Sequence, residues 1–421
     1  MIVQDVRPTP NVFLPIRNGD GAILKRGTGV TTFTRATVSS TFNSTGLVAA
    51  LASGELAYCF NPGTLDYLGL LVSNQYTNSC LQSEVFSNAY WTKTNVTADN
   101  TALAVAPDGN TTAEKLIETT ATGTHMAKRA TDISAATIII LSCFVKKGNG
   151  RNWVYLYRKN LDASTAYCYF DLDNGVTGTT TNWANPYIKS LPNSWYHISA
   201  RFTSAASGSG SEWGVGIAEA DNDNSMTGDT ANFIYAWGYQ VAQGEEGTLQ
   251  YLPTTSGTVT KNADAFSFPV SGNLGTNNIT VFVDCTVVNQ GNDSTVDDAE
   301  VWVSQQDSDN RLEVLIDDGV NIDLQKRIAA TSRTGRITPL TFTTFGRYKI
   351  IGRISSSTGV SVFVNGTKGG TVNTNTQNAV LGTTVQFGTG GDGGGSGGVA
   401  VKDFMIWNEA KTDAFCQWMT R

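Results

Sequence analysis

Apolar and polar side chains alternate with a period of two through most of this chain, and that alternation predicts β-strands. "RNWVYLYRKN" sets Trp153, Tyr155 and Tyr157 on one face, with Val154 and Leu156 on the other. "SWYHISARFTS" sets Tyr196, Ile198, Ala200 and Phe202 on one face; Trp195, His197, Ser199 and Arg201 point the other way, toward solvent. Polar turns separate such runs: "LDNG" at 172–175, "LPNS" at 191–194, "DNDNSMTGD" at 221–229. Short strands spaced this way, with few helical signals, predict a β-sandwich over 83–264.

The same grammar restarts over 265–421, in "ITVFVDCTVV", "AEVWVSQQ", "NRLEVLIDD", "GRYKIIGRISS" and "GVSVFVNGTKGG". Asn365-Gly366 predicts a type I′ hairpin turn, because both residues accept positive φ. "GTGGDGGGSGG", 388–398, reads as a flexible loop. The expected helix lies in the last residues, "EAKTDAFCQWMTR", with Ala414, Phe415 and Trp418 as its apolar side. Residues 1–82 look different. Three of the ten prolines fall within the first 25 residues, and proline fixes φ and removes a backbone donor. That stretch predicts an extended arm rather than a packed element, followed by a small β region with a turn at Asn61-Pro62-Gly63. The fold class is therefore all-β: an arm and a small β region (1–82), two β-sandwiches (83–264 and 265–421) and one short C-terminal helix.

"SEVFSNAYWTKTNVT", 83–97, puts Phe86, Tyr90 and Trp91 where a linker enters the first sandwich. Aromatics at such a place close one end of a core, so we expect an entry segment and core plug.

Composition narrows the function classes. Only 15% of residues are charged, glycine reaches 43, and the net charge is −7 with no long basic run. This argues against nucleic-acid binding, which needs clustered Lys and Arg. No apolar stretch reaches the ~20 residues of a membrane-spanning helix, and "AATIIILSCFV", 135–145, reads as a buried strand. The N-terminus lacks a basic-then-apolar signal pattern, so folding in a cytoplasm is expected. The six cysteines, at 59, 80, 143, 168, 285 and 416, form no C-x-x-C pair and are expected as buried free thiols.

Candidate chemistry is sparse. There are two histidines, His125 and His197, and a Ser-His-Asp triad would have to use one of them. No nucleophile elbow, Walker loop or dinucleotide fingerprint accompanies them, so no catalytic residue is assigned and no enzyme is expected. Asp171 and Asp173, Asp221 and Asp223, and Asp307 and Asp309 pair carboxylates on short loops. Calcium favours several such oxygens, but Asp and Asn favour turns anyway, and no metal ligand or cofactor is assigned. Trp183, Trp195 and Trp213, with His197, are the candidate carbohydrate-binding residues; core packing is their competing role. Two carboxylates converging for glycoside cleavage remain a third possibility, although no long repeat of the parallel β-helix kind accompanies them.

Several segments carry a resemblance. "FTRAT" (33–37), "LGLLVSNQYTN" (68–78), "SEVFSNAYWTKTNVT" (83–97), "APDGNTTAEKL" (106–116) and "WGYQVAQGEEGTLQYLPTTSGTVTKNAD" (237–264) follow one another in an order that resembles bacteriophage head-spike or tail-appendage proteins. One departure is Gln240-Val241-Ala242, where the family's pattern reads Gln-Leu-Glu. "SVFVNGTKGG" and "GVAVKDFMIWNEAKTDAF" make the last third similar to laminin-G or concanavalin-A-like sandwiches. The resemblance implies a jelly-roll, carbohydrate-module-like first sandwich. It also implies a structural virion protein, a head decoration or spike or part of a tail appendage. That protein would be a trimer docked through its arm on other virion proteins, with a host surface glycan as a further partner and no membrane insertion.

Overall fold

The structure, a computed structural model, describes residues 8–19, 21–130, 138–161, 164–204, 210–243, 250–288, 299–317, 321–338, 340, 345–370, 372–388 and 398–421. Most of the glycine-rich run expected as a loop, 389–397, lies outside the described residues.

Two β-sandwiches form as the alternation predicts. In the first, one sheet runs in the order Ala184–Leu191, Trp195–Thr203, Ile138–Asn149, Phe233–Gln243, Thr111–Glu118, Val96–Val105. Its partner sheet runs Val176–Thr180, Thr165–Asp171, Trp153–Lys159, Glu212–Ala218, His125–Ala130, Thr92–Thr94. Leu141, Cys143, Val154, Leu156, Phe170, Ile198, Val215 and Val241 fill the space between them. The second sandwich packs a sheet built around Ile279–Val287 and Val399–Trp407 against one built around Ala299–Asp307, Asn310–Asp317 and Asn321–Ile328. Asn365 (φ 45°) and Gly366 (φ 84°) both take the positive φ that a type I′ turn demands.

The proline-bearing start of the chain is packed, contrary to expectation. Val12–Pro15 is a strand, paired antiparallel with Val399–Trp407 in the register Val12↔Ile406 and Leu14↔Phe404. Val12, Leu14 and Ile16 are fully buried in the second sandwich. The reason is local: "NVFLPI" alternates like any strand, and its prolines flank or end the paired stretch, so the ladder donors survive. The rest of 1–82 is shared out as well. Tyr67–Val72 pairs with Val399–Trp407, Thr32–Thr34 with Ala265–Pro269, and Tyr76–Asn78 with Phe233–Gln243 in the first sandwich. This segment threads both sandwiches.

A third layer of core joins the two bodies. Phe42, Leu51, Cys59, Leu68, Leu71 and Ala400 pack against Phe144, Trp195, Trp237 and Tyr251 on the outer face of the first sandwich. The helix, Asp413–Met419, starts at Thr412, whose hydroxyl accepts from the Phe415 N–H. Its buried side is Cys416 and Met419 with Phe415, packed on Phe282, Ile351, Phe363 and Trp407. Ala414 and Trp418 are exposed, so the expected apolar side is rotated.

Candidate functional site

The face of the sheet that carries Trp153–Lys159 and Thr165–Asp171 and turns away from the core holds an aromatic cluster. Alternation turns Val154 and Leu156 inward and Trp153, Tyr155 and Tyr157 outward. On the paired strand it turns Cys168 and Phe170 inward and Tyr167 and Tyr169 outward. The register Tyr155↔Tyr169 and Tyr157↔Tyr167 brings the four tyrosines side by side. Tyr167 is the hub, with ring centroids 5.5 Å from Tyr155, 5.5 Å from Tyr157 and 6.2 Å from Tyr169. Tyr155, Tyr157 and Tyr169 are buried within the cluster, whereas Trp153 and Tyr167 are half-buried.

Two glycines shape the face by close approach. A β-carbon at Gly216 would overlap the Tyr155 ring, which lies across that position. One at Gly178 would overlap Trp153 and the Asp221 carboxylate, so the indole lies against bare backbone. The result is an aromatic floor on paired strands, with polar groups at its edges.

At one edge, Lys128 Nζ donates to both Glu212 oxygens at 2.9 Å, and the Tyr157 hydroxyl donates to Glu212 Oε2 at 2.8 Å. Burial alone raises the Glu212 carboxyl, but the bonds from Lys128 and Tyr157 outweigh it and hold the group below its ordinary value. At another edge, Asp221 accepts from Thr179 N and Oγ1 at 2.7 and 2.9 Å. Burial, helped by neighbouring hydroxyls and carboxylates, pushes the phenols of Tyr155, Tyr157 and Tyr169 up. These phenols therefore remain protonated donors at neutral pH.

The residues singled out from sequence for sugar binding lie elsewhere. Trp195 is 1% exposed, in the layer between the sandwiches, and its Nε1 donates to Val105 O at 2.9 Å. His197, on the face expected to be outward, is buried and stacked on Phe144 at 4.6 Å. That face is covered because the chain's first third folds over it. Trp213 is 1% exposed, inside the first core, stacked on Tyr239 at 5.3 Å. Trp183 is half-buried, edge-on to Phe202 at 5.5 Å, with the Arg158 guanidinium 4.9 Å from its ring centroid. The four do not converge. Trp153 and the tyrosines are not among the residues singled out from sequence, although "WVYLY" followed by "YCYF" carries the signal, a double alternation of aromatics on paired strands.

The other candidates also find ordinary places. His125 is buried, with its ring nitrogens 3.0 Å from Gly123 O and 3.4 Å from Thr119 O. Asp171 accepts from Asp173 N, Asp223 from Ser225 N and Asp307 from Asp309 N, which are turn contacts. Asp173 pairs with Lys147, and Asp309 lies 3.9 Å from Arg327. Among the described residues, no group of three or more His, Cys, Asp or Glu side chains is placed to hold a metal ion. All six cysteines are buried and free.

No family model matches the chain, and no curated protein matches it. Solved structures similar to it include a heptameric SAP-like pentraxin from Limulus polyphemus, 18% identical over 37% of this chain and 72% of that one, with TM-score 0.29. The receptor binding domain of a botulinum neurotoxin C/D mosaic serotype is 13% identical, covering 36% of this chain and 38% of that one, with TM-score 0.29. A Trypanosoma rangeli sialidase is 8% identical, covering 72% and 59%, with TM-score 0.28. The chain thus spans less than two thirds of the toxin and sialidase chains.

Proposed function

We propose that this chain is a carbohydrate-recognition protein that binds glycan without cleaving it and is displayed on a bacteriophage particle. The observation that carries the binding reading is the half-buried pair Trp153 and Tyr167 on an aromatic floor, edged by hydrogen-bonding groups. Aromatic rings present an apolar surface to the C–H face of a sugar while phenol, amide and carboxylate groups meet its hydroxyls; this mix of apolar floor and few polar groups is what small-molecule sites need. The third core layer supports display, since it holds the two sandwiches together.

The particle reading rests on the motifs between 33 and 264. Val12–Pro15 is committed within its own chain, so attachment to a particle falls to another surface, and a trimer would form through one as well. Two experiments test the proposal. A glycan array with the purified protein should give signals that fall at least tenfold in Trp153→Ala and Tyr167→Ala, with no reducing sugar released from bound polysaccharide. Antibody-gold labelling should decorate intact phage particles, over the head for a spike and at the tail for an appendage; unlabelled particles would refute display.

A further inference from the structure

Lys128 and Glu212 together form a matched donor and acceptor at the edge of the aromatic floor. An ammonium has three donors, and two of those of Lys128 go to Glu212. A carboxylate has about four acceptor positions, and three of those of Glu212 are taken, two by Lys128 and one by Tyr157. One donor and one acceptor remain, with 21% and 18% of the two side chains exposed. Neighbouring hydroxyls on a pyranose can satisfy both at once, one accepting from Lys128 Nζ and the other donating to Glu212 Oε1. The 2.9 Å between Nζ and Oε1 matches the spacing of two adjacent sugar oxygens.

The position is also right. Tyr157 bonds Glu212 and stands 5.5 Å from Tyr167, the half-buried ring at the hub. A sugar lying on Tyr167 therefore presents its edge to the pair. The pair is neutral as a unit; of the other charges near the floor, the Lys159 ammonium, in register with Glu212, bears on that carboxylate, and the carboxylates of Asp221 and Asp223 bear on Tyr169. An acidic sugar would meet the carboxylates of Glu212, Asp221 and Asp223 against the ammoniums of Lys128 and Lys159, a net negative rim; a neutral one would lose nothing.

We propose that the floor takes a neutral hexose-based glycan, with Lys128 and Glu212 gripping two adjacent hydroxyls of the residue stacked on Tyr167. This rests on the carbohydrate-recognition reading above. The test is an array of neutral, uronate-bearing and sialylated oligosaccharides, probed with wild type, Lys128→Met, Glu212→Gln and Tyr167→Ala, each first checked for an unchanged melting temperature. The best neutral oligosaccharide is then re-measured as its mono-deoxy analogues. Expected are neutral ligands only, a loss of at least tenfold in both edge variants, and losses at two adjacent deoxy positions. Equal or better binding of acidic glycans, or wild-type binding by both edge variants while Tyr167→Ala fails, overturns this proposal and leaves the broader one standing. Absence of any glycan binding overturns both.

Discussion

Arg35 and Asp264 form a fully buried ion pair, Nη1 to Oδ1 at 3.1 Å, between residues 229 positions apart. Arg35 also donates to the Thr37, Ala52 and Glu55 carbonyls. The second Asp264 oxygen accepts from Ser73 N and Oγ at 2.9 and 3.0 Å, and Lys261 Nζ stands 3.2 Å from it. One site thus ties the Ser39–Leu51 hairpin, the end of Tyr67–Val72 and the passage between the sandwiches. Removing one partner strands a charge in a dry place, which typically costs about 3–5 kcal/mol. Asp264→Ala should lower the melting temperature steeply and open the 35–80 region to protease. A melting temperature within a degree or two of wild type would show that the pair is not needed.

Trp91 plugs one end of the first core. It is 2% exposed, stacked on Phe86 at 4.8 Å and edge-on to Trp213 and Tyr239; its Nε1 donates to Gln82 O at 3.1 Å. Truncating a buried tryptophan typically costs about 3–5 kcal/mol. Trp91→Ala should therefore melt well below wild type yet bind glycan normally at a temperature where it is folded. Unchanged melting with lost binding would place Trp91 in the site.

Deleting residues 1–17 removes Val12, Leu14 and Ile16, each fully buried and each contributing roughly 1.5–3 kcal/mol. It also leaves the ladder positions of Asp403–Ile406 that faced them unpaired, an exposed edge that invites association. The truncated protein should melt lower and aggregate. A soluble protein with wild-type melting would mean that the strand is dispensable.

Lys326 is a buried lysine whose ammonium donates to the Asn375 and Gln377 carbonyls at 3.1 and 2.6 Å. Burial, with Arg333 nearby, pushes its value down from 10.5 to about 8. Between those two pH values the unfolded chain holds more protons than the folded one, so this group's contribution to stability rises with pH across that window. Below about pH 8 the full penalty of a buried charge applies. The melting difference between wild type and Lys326→Met should shift in favour of wild type on going from pH 7 to pH 10. A pH-independent difference would contradict the assignment.

Much of the architecture was legible because strand alternation follows directly from pleat geometry. Val154 and Leu156 against Tyr155 and Tyr157, the Asn365-Gly366 turn and the buried cysteines all stand as the residues imply. Alternation says which residues share a face but not what lies on top of it. For that reason alternation alone points Trp195 and His197 to solvent, whereas Phe42, Leu51 and Leu71 cover their neighbourhood. The pairing of Val12–Pro15 with Val399–Trp407 spans nearly the whole chain, and no local pattern encodes it. The segments that carried the phage resemblance turn out to be scaffolding. Arg35 and Asp264 sit at its two ends, and Asn78 donates to Leu252 O and accepts from Val241 N. At the position of the departure, Ala242 is buried beside Tyr76 and Leu252. Those motifs therefore speak to the body of the protein, while the candidate binding face had to be found in the tyrosines.

Whether this face binds glycan is decided by measuring glycan binding of wild type and Tyr167→Ala side by side on one array, with matched melting curves. Expected is a defined set of glycans bound by wild type and lost, at least tenfold, in a variant that melts normally. Equal binding by the two proteins, or none by either, would contradict it.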